Sequence, residues 1–155
     1  MSDLSHLIKA YDVRGVVPDD WDADLAEQLG AAFTALIPDA EAVVIGQDMR
    51  PTSPQLAEAF AAGVASRGKN VVHIGLAATD QLYFASGYLD LPGAMFTASH
   101  NPAKYNGIKL CRQGAAPIGQ DSGLTDLRRM VESGSLPPAA AAPGTTSRRD
   151  LLGDY

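Results

Sequence analysis

Apolar residues recur at helical spacing from Asp24 to about Leu36, where Leu25, Leu29, Ala32, Phe33 and Leu36 make one stripe. The period then changes. Ala42-Val43-Val44-Ile45-Gly46 is a short continuous run rich in β-branched residues, the kind buried on both faces of a parallel sheet. Ser53 fits an N-cap with Pro54 at the first helical position, and Leu56, Phe60, Gly63 and Val64 supply the inward face of a helix ending near Gly68. Val71-Val72-His73-Ile74-Gly75 predicts a second strand, and a helix follows over about Asp80 to Tyr88. Ala94-Met95-Phe96 predicts a third strand. A fourth, Ile108-Lys109-Leu110, follows by a connection too short for a crossover helix, so it is expected to run antiparallel to its predecessor. The last helix is expected over about Ser122 to Glu132.

This alternation predicts an α/β domain over residues 1–134: a three-layer α/β/α sandwich with a mixed sheet of about four strands, the last antiparallel. Beyond it the pattern fades. Ser135 to Ser147 is almost wholly Ala, Pro, Gly, Ser and Thr and reads as a linker, and residues 148–155 read as the entrance to a second domain.

At 155 residues, with 46% hydrophobic and 19% charged residues, the chain is long and apolar enough for one folded core. The net charge of −6 argues against nucleic-acid and anionic-membrane partners, which call for basic surface. A single cysteine, Cys111, excludes an intrachain disulfide, and its apolar surroundings predict a buried, inert thiol. Met1 to His6 lacks the charged and apolar regions of a leader, and no run approaches the ~20 apolar residues of a membrane span. The expectation is a soluble, cytoplasmic protein.

The candidate chemistry lies after the third strand, where Thr97-Ala98-Ser99-His100-Asn101-Pro102 places a serine on a surface loop. In Tyr105-Asn106-Gly107-Ile108-Lys109, a turn-type Asn-Gly pair leads into the fourth strand and returns a lysine beside that serine. Alone, a Ser-His-Asn-Pro loop is ordinary turn chemistry. Its company changes the picture: Lys9-Ala10-Tyr11-Asp12-Val13-Arg14-Gly15 and Ile45-Gly46-Gln47-Asp48-Met49-Arg50-Pro51 precede it at domain-like spacing. From about Ile8 to about Glu132 the sequence resembles the first domain of the α-D-phosphohexomutases, the phosphomannomutase/phosphoglucomutase enzymes.

The resemblance implies that Ser99 is phosphorylated in the active form and donates its phosphoryl group to a hexose phosphate. The implied reaction interconverts hexose 1-phosphate and hexose 6-phosphate, of mannose or glucose, through a bound hexose 1,6-bisphosphate that also serves as activator. Arg14 and Lys109 become candidates for handling the hydroxyl proton and the transferring phosphate, in an order left open. Tyr11 would contact the sugar or merely pack. His100 would orient or contact phosphate, Asn101 would cap the loop or bond phosphate, and Asp48 and Arg50 would hold the loop from behind. Mg²⁺ is the implied ion, met here only through the phosphate on Ser99, its carboxylate ligands being expected from a missing domain. The partners implied are hexose phosphates and the remaining domains of the same enzyme.

Asp19, Asp20, Asp22 and Asp24 do not make a calcium loop, because a register beginning at Asp20 puts Leu25 where glycine is needed and Ala31 where glutamate is needed. They suit the start of a helix instead. Gln47 and Asp80 depart from the usual family pattern and leave the sugar open. Two other functional classes remain in view. A stand-alone phosphosugar-binding or regulatory module is compatible with the same loop, whereas a serine hydrolase lacks its Gly-x-Ser-x-Gly elbow.

Overall fold

Each of the four apolar runs becomes a strand, and the stretches of helical period between them become helices. The computed structural model describes residues 3–154. Its elements are β1 (Val13–Val16), α1 (Ala23–Leu36), β2 (Ala42–Gln47), α2 (Ser53–Ser66), β3 (Asn70–Leu76), α3 (Thr79–Leu89), β4 (Gly93–Phe96), β5 (Tyr105–Arg112), β6 (Ala116–Pro117), α4 (Leu124–Ser133) and β7 (Thr146–Arg148). The strands form one sheet in the order β1-β5-β4-β2-β3-β7, with β6 also paired to β5. β4, β2, β3 and β7 run parallel, while β5 is antiparallel to β4 and to β1.

Side chains alternate across this sheet and divide the core in two. Val43, Ile45, Phe96, Ile108 and Leu110 meet α1, α2 and α4 on one face. Val44, Met95 and Cys111 meet α3 on the other, with Leu82, Ala85 and Leu151. Phe60 joins the helices to the sheet, its ring 5.9 Å from Phe33 and 5.4 Å edge-on from Phe96. Helices α1 and α2 cross closely enough that a methyl group on Gly30 would overlap the Phe60 carbonyl, and one on Gly63 that of Glu27.

The sheet has seven strands rather than about four, and the additional ones explain why periodicity misses them. β1 is short and interrupted by Arg14 and Gly15, β6 has two residues, and β7 is Thr-Ser-Arg with every residue exposed. None carries an apolar alternation. They exist because a distant strand edge offers hydrogen bonds, β1 pairing with residues 105–108 of β5. The antiparallel strand β5 is as expected, but it is not the last one, since β7 closes the sheet parallel to β3.

Three local expectations also change. Thr52, not Ser53, is the N-cap of α2; Ser53 is fully buried inside the first turn, where its hydroxyl bonds other side chains. Asn106-Gly107 is no turn but part of β5, and Asn106 is fully buried. Gly123, at φ +154°, separates a short 3-10 turn at Gln120–Ser122 from α4, so the last helix begins two residues late.

The Ala/Pro/Gly-rich stretch follows the domain surface. Arg67 Nε donates to the Pro137 carbonyl at 2.8 Å, and the amides of Ala140 and Gly144 donate to Ser66 and Ala65. Beyond β7, the Arg149 amide donates to the His73 carbonyl, and Leu151 is buried against α3. Tyr155 lies outside the described residues. Among those residues no helix is long and apolar enough to cross a membrane. Asp22 caps α1, its carboxylate accepting from the Leu25 amide at 3.1 Å, so the acidic cluster does begin a helix.

Candidate active site

The loop between β4 and β5 leaves the carboxyl end of a parallel strand, the usual place for ligand contacts in open α/β sheets. Ser99 and His100 are exposed on it. Ser99 adopts φ +55°, a left-handed conformation that costs a non-glycine residue on the order of 1–3 kcal/mol and persists only where its surroundings enforce it. The enforcement is visible. Thr97 Oγ1 accepts from the Ser99 amide at 3.0 Å, and the Asn101 amide donates to the Ala98 carbonyl at 3.1 Å.

Beneath the loop, Arg50 is 9 % exposed and donates to four of its carbonyl oxygens: Ser99 and Asn101 through Nη2, Pro102 and Tyr105 through Nη1, at 2.8–3.2 Å. Its Nε pairs with Asp48 Oδ2 at 3.1 Å. Asp48 Oδ1 also accepts from the Ser53 hydroxyl at 2.6 Å, and Asn106 Nδ2 donates to Ser53 Oγ and Thr52 Oγ1, both at 2.9 Å. The turn from β2 into α2 is thereby joined to the start of β5. Asp48 and Arg50 hold the loop from behind, as the family resemblance suggests. The part of Ser53 and Asn106 has no sequence signal, because each looks like a routine cap or turn residue.

On the other side of the loop, Asp12 and Arg14 lie two residues apart at the start of β1, and β1 pairs Arg14 with Gly107 of β5. That register brings Lys109 alongside. Asp12 Oδ2 accepts from Arg14 Nη2 at 2.6 Å and from Lys109 Nζ at 3.5 Å, while Arg14 Nη1 donates to Asn101 Oδ1 at 2.8 Å. Together with Tyr11, a residue 73 % exposed, these residues border an open hollow of about 590 Å³.

Arg14, Lys109, Tyr11 and Asn101 thus share one hollow, while Ser99 borders a neighbouring one of about 520 Å³ beside Met49, Leu76 and Thr79. Residues of the loop line both, Asn101 the first and Thr97 and Ser99 the second. His100 borders neither. Asp12, buried between two cations, is the residue that sequence reasoning passed over, although it stands inside the quoted Lys9–Gly15 motif.

The donor set near Ser99 does not make a magnesium cage. Asp48, the carboxylate bordering that hollow, is engaged by Arg50 and Ser53, and no group of three His, Cys, Asp or Glu residues suited to a metal occurs among the described residues. Cys111 is fully buried, and burial pushes its thiol pKa up, which keeps it protonated and unreactive.

Residues 5–135 match the family described as phosphoglucomutase/phosphomannomutase, alpha/beta/alpha domain I. A phosphohexose mutase of Xanthomonas campestris pv. campestris is 43% identical over 143 residues, covering 92% of this chain and 32% of the relative. A phosphomannomutase of Klebsiella pneumoniae is 40% identical over 149 residues, covering 95% of this chain and 94% of that protein. Among solved structures, a phosphoglucomutase/phosphomannomutase family protein from Burkholderia thailandensis superposes with a TM-score of 0.86 at 30% identity, over all of this chain and 35% of that one. The chain spans about a third of the length of the Xanthomonas and Burkholderia proteins. With its serine loop, the strand register behind it and these relatives in agreement, the chain belongs to the phosphoglucomutase/phosphomannomutase family, of which it forms the α/β/α domain I.

Proposed function

We propose that this chain is the phosphoserine-bearing domain of a mutase that interconverts hexose 1-phosphate and hexose 6-phosphate through a 1,6-bisphosphate. The observation that carries the reading is the 2.8 Å hydrogen bond from Arg14 to Asn101, which ties a pair of cations to the loop that presents Ser99. Phosphoryl transfer gains most from positioning and charge neutralisation, and these elements supply both.

In the forward step the Ser99 Oγ–P bond breaks as a sugar hydroxyl oxygen bonds to phosphorus. The hydroxyl proton passes to a basic group of the site, and Ser99 Oγ recovers a proton. Arg14, planar and permanently charged, is suited to orient phosphate oxygens, while Lys109, bound to the same Asp12 oxygen, adds a second positive charge to the hollow that Arg14 borders. After the bisphosphate turns over, the same steps run in reverse from its other phosphate. Mg²⁺ would supply further charge neutralisation, held in this chain only by phosphate oxygens on Ser99.

The test is peptide mapping of the complete, active enzyme that contains this domain, which should yield one phosphorylated peptide containing Ser99, His100 and Asn101. Ser99→Ala, made in that same enzyme, should fold normally, because the exposed hydroxyl supports little packing, and should lose both that phosphate and turnover by orders of magnitude. Normal turnover by the alanine variant without added bisphosphate, or phosphate mapped to Ser53 or Ser86, would sink the assignment.

A further inference from the structure

One buried carboxylate oxygen meets both cations of the larger hollow. The Asp12 side chain is 4 % exposed, against 28 % for Arg14 and 23 % for Lys109, and both cations reach the same Oδ2. Arg14 extends its other terminal nitrogen to Asn101 on the Ser99 loop, while its Nε is buried with no acceptor. The orientation of the guanidinium therefore rests on two anchors, a carboxylate below and a loop amide above. A buried carboxylate is costly unless paired, and two cations facing a phosphate do not in themselves require an anion underneath. The chain nevertheless places one there.

We propose that Asp12 is a positioning residue for phosphate handling, with two physical effects. By sharing one oxygen it holds side by side two cations that would otherwise repel each other, and so fixes the aim of Arg14 toward the Ser99 loop. It also subtracts positive field from the hollow. An anion held equally well before and during transfer is merely retained, so a counter-charge that lowers resting affinity while keeping the geometry favours turnover over retention. The purpose assigned to Asp12 rests on the mutase reading; its geometry and its test do not.

Inorganic phosphate titrated into the 155-residue chain, followed through the side-chain magnetic resonance signals of Arg14 and Lys109, reads the effect of Asp12→Asn. That change keeps the shape and removes the charge. The variant is expected to bind phosphate about three- to tenfold more tightly at low ionic strength, a gain that shrinks as salt screens it. Unchanged or weaker binding by a folded variant overturns the proposal, and so does binding too weak to detect in both proteins.

The unaltered chain gives a second reading that does not depend on the variant folding. Held by Asp12 and Asn101, the Arg14 guanidinium should rotate slowly and show separate Nη resonances, where those of exposed Arg149 average. Averaged Arg14 resonances also overturn the proposal. Absence of mutase turnover in a longer protein would strike the mutase reading and leave these outcomes standing.

Discussion

Arg50 makes the shape of the Ser99 loop depend on one side chain. Its planar fork reaches four carbonyl oxygens and a carboxylate at once, a geometry that the single ammonium of lysine does not reproduce. Arg50→Lys keeps the charge and is expected to lower unfolding free energy by about 2–3 kcal/mol, read from urea titration. Amide exchange over residues 97–105 should speed up by more than it does in β2 or β3. Equal speeding everywhere would show that Arg50 supports the fold in general rather than the loop. The family resemblance places Asp48 and Arg50 behind the loop. The sequence does not show the four carbonyls, because backbone oxygens carry no residue identity. Asp12 escapes for a related reason: its partner Lys109 is 97 positions away, and only the β1–β5 register unites them.

Among elements, the central strands and the helices are legible because each is a local run with its own period, as in Ala42–Gln47 or Asp24–Leu36. The edge strands are not, for β1 is too short to show a period and β7 is polar, and both are recruited by a neighbour's unpaired backbone. Strand β7 has a further consequence. It runs beside His73 of β3, whose side chain is 3 % exposed, with Nε2 buried and without a hydrogen-bond partner, 3.9 Å from Glu58 Oε1 of α2. Arg148 of β7 lies 3.5 Å from that same oxygen. Burial is the main cause that lowers the His73 pKa below 6.5; Arg148 lowers it further, and Glu58 opposes both.

The sign follows from linkage. Well above pH 6.5 the ring is neutral folded or unfolded and pH has no leverage through it. As pH falls, the unfolded chain takes up the proton first, so stability drops until the lowered folded-state pKa is passed, where the loss levels off. Urea midpoints at pH 7.5 and 5.5 should show this drop, and His73→Gln should remove most of it. An equal slope in the variant would assign the effect to other groups.

For the whole molecule, the fold class is legible, and the proposed mutase reading assigns the rest of the reaction's machinery to other domains. The chain contributes a serine, two cations and their carboxylate, but its described residues offer no metal cage. The pure 155-residue chain is therefore expected to give no mutase turnover with glucose 1-phosphate and added bisphosphate, measured by coupled assay. Turnover by the pure chain would show that the hollow beside Tyr11 is a complete catalytic site. The contacts made by Arg50 also bear on transplantation. Because they fall on main-chain oxygens, the outline of the loop is independent of most letters written in it, and belongs instead to a position forty-nine residues upstream of Ser99. Moving residues 97–105 alone into another parallel sheet would transfer the spelling without the form, whereas a graft that brings Asp48, Arg50 and Ser53 along carries its own template.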